Sequence, residues 1–272
     1  MKIYELGEGT PEVAVVGGIH GDEPCGPLAI KRLLAEELTV ERPVKLIIAN
    51  EEALEAGQRY LEADLNRVFP GDPNADAHER RLANELLAEI EDCTTLALHS
   101  TQSYADPIGA VKAVDTVARE ICPQLPVSVI TATDDNTDGR LIKYPNVIEV
   151  ECGLQGTDEA ATNGYELVRA FLAATGVLPL GDAMDRLSVP DPERVPVFQV
   201  AGPIPKPGGT EYEVFVDNFE LVTAGTAFAA IDGEPIHAET DFYPVLLSPY
   251  GYADIFGYRS ERVGTVAEWN AN

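Results

Sequence analysis

Hydrophobic and polar positions follow two rhythms along this chain. Short runs rich in β-branched residues at 13–16, 44–48, 95–98, 127–131 and 147–152 have the length and content of buried strands. Between them lie segments with a helical period. At 78–91 the apolar side chains Leu82, Leu86, Leu87 and Ile90 return on one face, and the stretches 27–37, 114–121 and 158–174 behave alike, the last stopping before Gly176. Strands alternating with helices predict βαβ units, hence an α/β fold whose sheet is mostly parallel or mixed and flanked by helices. After Leu178 the texture changes to short alternating runs at 195–200, 210–216, 226–231 and 243–247, broken by Pro and Gly, with 201–209 expected as a loop. We therefore expect a main domain over 1–185 and a smaller antiparallel β domain over 186–272.

Charge narrows the partners. Against 19 Lys and Arg stand 46 Asp and Glu, a formal charge of −27. Such a field repels nucleic acid and anionic membranes. The acids are dispersed (Glu36, Glu37, Glu41, Glu85, Glu89, Glu91, Asp92), as on a solvated surface, and suggest a halophile-like cytoplasm. A hydrophobic content of 45% excludes a disordered acidic chain. No apolar run approaches the ~18–20 residues of a membrane span, and the first residues lack the pattern of a signal peptide. Cys25, Cys93, Cys122 and Cys152 form no Cys-x-x-Cys pair and are expected as free thiols in a cytoplasmic protein.

The strand Ala14-Val15-Val16 runs into Gly17-Gly18-Ile19-His20-Gly21-Asp22-Glu23-Pro24, a glycine-rich turn with a His and a Glu three apart. A second strand delivers His99 at its carboxyl end, in Leu98-His99-Ser100-Thr101. Ligands gather at the carboxyl ends of strands in open α/β sheets, so His20, Glu23 and His99 can meet. Two imidazoles and a carboxylate form the three-ligand set of a catalytic zinc site, and one Zn2+ per chain is the expected cofactor. His78, in a polar helix beside Glu79, Arg80 and Arg81, reads as solvated, His237 as a surface residue and Cys25 as a packed thiol. The strand Val147-Ile148-Glu149-Val150-Glu151-Cys152-Gly153 puts two acids on one face, of which Glu151 lies nearer the metal end. Either could shuttle protons or pair with an arginine. Arg59 and Arg67, in a polar loop, suit an oxyanion or carboxylate, or ordinary pairing with Glu62 and Asp64, and Arg140 is a third candidate. The run 134–139 imitates half an EF-hand loop, but Pro145 occupies the twelfth position, and the glycines at 17, 18 and 21 lack nucleotide-binding spacing.

Together Gly18-Ile19-His20-Gly21-Asp22-Glu23, Asp64-Leu65-Asn66-Arg67, Leu98-His99-Ser100-Thr101 and Glu151-Cys152-Gly153 resemble, in order and spacing over 13–155, the succinylglutamate desuccinylase/aspartoacylase family, with its zinc-carboxypeptidase-like fold. The resemblance implies zinc ligation by His20, Glu23 and His99, Glu151 as general base and later acid, and Arg59 polarising the amide carbonyl. It further implies Asn66 and Arg67 in substrate recognition, Arg140 as a carboxylate clamp, and Tyr252 reaching the substrate from a C-terminal β domain that caps the active site. Two positions depart from the family: Ala97 stands where an Asp commonly precedes the third-ligand motif, and alignment on Lys143-Tyr144-Pro145 would select Glu149 as the base. The implied activity is hydrolysis of the amide of a small, anionic N-acyl amino acid. A zinc carboxypeptidase acting on peptides and a non-catalytic small-ligand-binding protein are the alternatives. Assembly as a homo-oligomer stays open.

Overall fold

The computed structural model describes residues 1–133, 138–179 and 187–270, so the expected boundary between 185 and 186, and part of the run 134–139, lie outside the described residues. Ten strands form one mixed sheet. Its spatial order is β1 (Lys2–Leu6), β3 (Val44–Ile48), β2 (Val13–Gly17), β4 (Thr94–Thr101), β7 (Val147–Leu154), β5 (Ile108–Val111), β6 (Val129–Ala132), β8 (Pro196–Pro205), β13 (Ile255–Thr265) and β12 (Tyr243–Val245). Neighbours run parallel from β3 to β7 and again from β5 to β8; β1, the β7–β5 junction and the pair β13 and β12 are antiparallel. A separate antiparallel sheet holds β9 (Tyr212–Val214), β10 (Ala227–Ile231) and β11 (Glu234–His237).

Both faces of the large sheet are covered, which is why its central strands read as continuous apolar runs. In β2 all five residues are buried, and their side chains alternate between two cores. Val13 and Val15 pack with α1 (Cys25–Leu34), α4 (Thr116–Ile121) and α5 (Asp158–Ala174), whereas Ala14 and Val16 pack with Leu82, Ala83, Leu86 and Ile90 of α3 (His78–Ile90). A third core gathers Phe228, Phe242, Leu247 and Phe256 between the small sheet and the end of the large one. Helix starts follow local chemistry: Thr157 Oγ1 accepts the Ala160 N–H at 3.1 Å ahead of α5, and Asn50 Oδ1 accepts the Ala53 N–H at 3.2 Å at the start of α2 (Glu51–Ala56).

Residues beyond 186 divide between the two sheets, since β8, β12 and β13 extend the large one. The segment 201–209, expected as a loop, is strand as far as Pro205. β8 pairs with β6 only through Gln199; beyond it one edge is open, where missing proline N–H groups cost no ladder bond. β13 carries no apolar run because register shifts at Gly257 and near Arg262 interrupt its alternation, and Arg259, Glu261 and Arg262 punctuate it. Among the described residues no helix is long and apolar enough to cross a membrane.

Candidate metal and active site

The turn carrying His20 and Glu23 leaves the carboxyl end of β2 and is held against α2. A Cβ on Gly21 would lie 2.1 Å from the Ala53 carbonyl carbon, so only glycine allows this approach, and the Gly21 N–H donates to the Arg59 carbonyl at 3.1 Å. The turn thereby fastens itself to the loop carrying Arg59 and Asp64. His20, Glu23 and His99 are almost wholly buried, and one ligand atom from each lies within 4.8 Å of the others.

Around Glu23 the polar atoms converge. His20 Nδ1 lies 2.8 Å from Oε1 and His99 Nδ1 3.0 Å from Oε2, while Oε1 accepts from Arg59 Nη1 at 3.0 Å and Oε2 from the Ser100 N–H at 3.2 Å. Burial opposes ionisation of Glu23, yet the charges and hydrogen bonds of His20 and His99 hold its carboxyl well below the usual range. Burial likewise works against both imidazolium forms, but the facing carboxylates raise His20 and His99 above an ordinary histidine. On the outer side of His20, Nε2 meets Asp64 Oδ1 at 3.1 Å, and Asp64 Oδ2 accepts from Arg59 Nε at 3.0 Å.

β4 and β7 are in register with His99 beside Glu151 and Ala97 beside Glu149. The two glutamates differ sharply in surroundings. Glu149 Oε1 accepts from Asn66 Nδ2 at 3.2 Å and lies 3.8 Å from His99 Nε2; burial opposes its charge, but His99 and Asn66 hold it below an ordinary glutamate. Glu151 Oε2 is buried with no hydrogen-bond partner, and burial, with the Glu23 and Glu149 carboxylates adding to the rise, pushes its carboxyl up to about 7. Paired acids whose environments separate their pKa values in this way take different roles in acid–base sites.

All nine residues singled out from the sequence, His20, Glu23, Arg59, Asn66, Arg67, His99, Arg140, Glu151 and Tyr252, line one cleft of about 150 Å³. Arg59 pairs with Asp64, as sequence pairing allowed, but its second partner is Glu23 and not Glu62. Asn66 is engaged at both ends, since its Oδ1 accepts the Leu141 N–H at 2.8 Å. Arg67 donates to the Asn66 carbonyl at 2.8 Å, and Arg140 donates to the Tyr258 hydroxyl at 2.5 Å. Tyr252 packs edge-on against Tyr258, with ring centroids 6.0 Å apart. His78 begins α3 and His237 lies exposed on β11, both outside the cleft, while the Cys25 thiol is packed against the His99 carbonyl.

Sequence reasoning missed two residues that shape this site. Tyr258 sits in a strand with no readable pattern. Glu79 reads as a polar helix residue, yet it is fully buried and its carboxylate accepts from the backbone N–H groups of Leu61, Glu62 and Ala63 at 2.6, 3.1 and 3.1 Å. Its signal was its position in the first turn of α3, on the helix face that also carries Ala83 and Leu86.

Residues 9–107 match the family described as the succinylglutamate desuccinylase/aspartoacylase catalytic domain. Over these residues the chain is similar to that family. A probable aspartoacylase from Nostoc sp. is 42% identical over 60 residues, which cover 21% of this chain and 20% of that protein. The rat N-acyl-aromatic-L-amino acid amidohydrolase (carboxylate-forming) is 34% identical over 106 residues, 33% of each chain. The chain thus spans between 20% and 34% of the length of the curated relatives it matches. In fold the likeness runs nearly end to end: the ectoine utilization protein EutE (DoeB) of Ruegeria pomeroyi superposes with a TM-score of 0.75 at 17% identity over 95% of this chain and 88% of that one.

Proposed function

We propose that this protein is a zinc-dependent amidohydrolase that cleaves the amide bond of a small N-acyl amino acid. One observation carries the reading. The buried side-chain atoms without a hydrogen-bond partner, among the described residues, are Asp22 Oδ1, His99 Nε2, Ser100 Oγ and Glu151 Oε2, and all four residues line the cleft that holds the ligand cluster. Folded proteins satisfy nearly all buried polar atoms, so their concentration at one place marks a built polar site, in which Asp22 Oδ1, Ser100 Oγ and Glu151 Oε2 keep capacity for a further occupant.

The donor set fits zinc. Two imidazoles and a carboxylate are borderline donors suited to that ion, and the nitrogen of each ring that faces Glu23 is the one placed to bind. When bound at His20, Glu23 and His99, zinc would supply Lewis acidity that makes water a nucleophile near neutral pH and polarises the scissile carbonyl. The remaining work belongs to the chain. Glu151, with one carboxylate oxygen unpaired and a pKa of about 7, takes a proton from the attacking water and returns it to the leaving nitrogen. Arg59, anchored through Nε to Asp64 and Nη1 to Glu23, presents positive charge where the carbonyl oxygen becomes negative. Arg67 and Arg140 offer guanidinium forks to the carboxylate of an anionic substrate. Tyr252 and its neighbours Ser248 and Tyr258 line the cleft from the C-terminal side, where they can contact a small substrate.

Metal analysis of the purified chain, with hydrolysis assays on N-acetyl and N-succinyl amino acids beside short peptides, tests the reading. About one zinc per chain and activity on the acyl amino acids are expected. No bound zinc, or turnover of peptides alone, refutes it.

A further inference from the structure

The two ligand imidazoles are oriented alike, each with Nδ1 turned toward Glu23 and Nε2 turned away. Their outward nitrogens differ in what they meet. Asp64 Oδ1 stands 3.1 Å from His20 Nε2, whereas His99 Nε2 is buried with no hydrogen-bond partner, and the acid that pairs with it is Glu149, Oε1 at 3.8 Å. An imidazole that binds a metal through one nitrogen carries its proton on the other, and that N–H needs an acceptor when water cannot reach it. Only 5% of the His99 side chain is exposed. The acceptor must therefore come from the protein.

Strand register explains why Glu149 is the residue placed to serve. Its Cα partner on β4 is Ala97, two residues before His99 on the same face, and a methyl group there leaves the space above it to the glutamate side chain. The carboxylate is itself nearly enclosed, with 13% of its side chain exposed, and a buried carboxylate persists only with partners. Its other partner is Asn66 Nδ2 at 3.2 Å, and Asn66 is fixed in turn through Oδ1 to the Leu141 N–H.

We propose that Glu149 is a positioning residue of the metal centre. It accepts the outward N–H of His99, selecting the tautomer whose Nδ1 lone pair is free to bind metal, and through the same oxygen it ties the His99 ring to Asn66 and the loop that carries Arg67. A hydrogen bond across the 3.8 Å between the two atoms requires the carboxylate to turn about its own side-chain bonds. Glu149 and Glu151, which both line the cleft, thus divide their labour: the first orients a ligand, and the second keeps a free oxygen.

This inference rests on the zinc reading, so its test measures metal binding directly. Metal-free wild type, Glu149→Gln and Glu151→Gln are titrated with Zn2+ against a chromophoric chelator, with circular dichroism of each metal-free protein as the control for folding. Loss of an outer partner to a ligand histidine weakens metal binding by ~10–100-fold. Glu149→Gln is expected to raise the zinc dissociation constant by that factor, at least tenfold more than Glu151→Gln, which removes the same charge from the neighbouring position of the strand. Equal weakening by the two variants reduces the effect to charge and overturns the proposal, as does an unchanged constant for Glu149→Gln. Should Glu149→Gln fail to fold, Glu149→Asp, which keeps the charge but withdraws it by one methylene, is titrated with the same criteria. A wild-type chain that binds no zinc overturns the metal reading itself, before the variants are compared.

Discussion

Glu79 offers the sharpest test of how the site is held. Its carboxylate, at zero exposure in the first turn of α3, accepts from three successive backbone N–H groups, of Leu61, Glu62 and Ala63, and from Asn50 Nδ2 at 3.3 Å. That single group closes the loop between Arg59 and Asp64, the two residues that brace Glu23 and His20. Hydrogen bonds to a charged acceptor contribute ~1.5–3 kcal/mol each, but Leu61 and Glu62 are exposed and their freed amides regain water. For Glu79→Gln, which keeps the volume and turns a donor toward the amides, we expect a loss of about 2–4 kcal/mol. In a protein of this size that lowers Tm by roughly 5–15 °C. Hydrogen exchange should localise the damage, with protection of the 61–63 amides falling more than about tenfold while α5 is unchanged. The sign with pH is fixed as well. Burial opposes ionisation of Glu79, but the amides of Leu61 and Ala63, Asn50 and the amide of Glu62 lower its pKa from the usual 4.5. Its stabilisation is therefore complete above that unfolded value and is lost as pH falls through the lower folded one, so the difference in Tm between wild type and variant should shrink below pH 4.5. A Tm within about 1 °C of wild type at pH 7, with unaltered exchange at 61–63, would refute the clamp.

Three other outcomes follow from the same geometry. Glu151→Gln should retain zinc and lose ~10²–10⁴-fold in kcat, because it removes the proton acceptor and no proposed ligand; retained turnover measured by amine release would move the base elsewhere. Saturating zinc at about 100 Kd should stabilise the folded chain by about 2.7 kcal/mol, seen as a rise in Tm that a chelator reverses, and a melt insensitive to zinc would count against a preformed site. Tyr258→Phe removes the hydroxyl that accepts from Arg140; if Arg140 clamps the substrate carboxylate, KM should rise several-fold with kcat largely kept, whereas an unchanged KM would remove Arg140 from substrate binding.

What was legible in the sequence is what short-range physics encodes. A strand buried on both faces must be a continuous apolar run, so β2, β3, β4 and β7 announced themselves, and α3 and α5 did so through helical spacing. The candidate ligand turn was legible for a similar reason: His20 and Glu23 share one turn, and His99 lies near the carboxyl end of an unmistakable strand. Strands that pair at an edge or face solvent carry weaker patterns. Hence the edge strands β1 and β11 gave no signal, β5 was too short at four residues and β13 too interrupted by register shifts to show one, and β8 ran through prolines that an open edge tolerates.

Tertiary structure decided everything that depends on which distant residues stand side by side. That Glu149 stands opposite Ala97 with its Oε1 3.8 Å from His99 Nε2, while Glu151 stands opposite His99 itself, is a consequence of β4–β7 register, which no periodicity within either strand records. Asp64 reaches His20 across 44 positions, Glu79 reaches the loop from another helix, and Tyr258 meets Arg140 across 118. The sequence by itself determined which side chains could do chemistry and which elements would carry them. Packing chose their partners, because hydrogen bonds and burial act through space, and the pKa of each group follows from neighbours that the chain brings together only on folding.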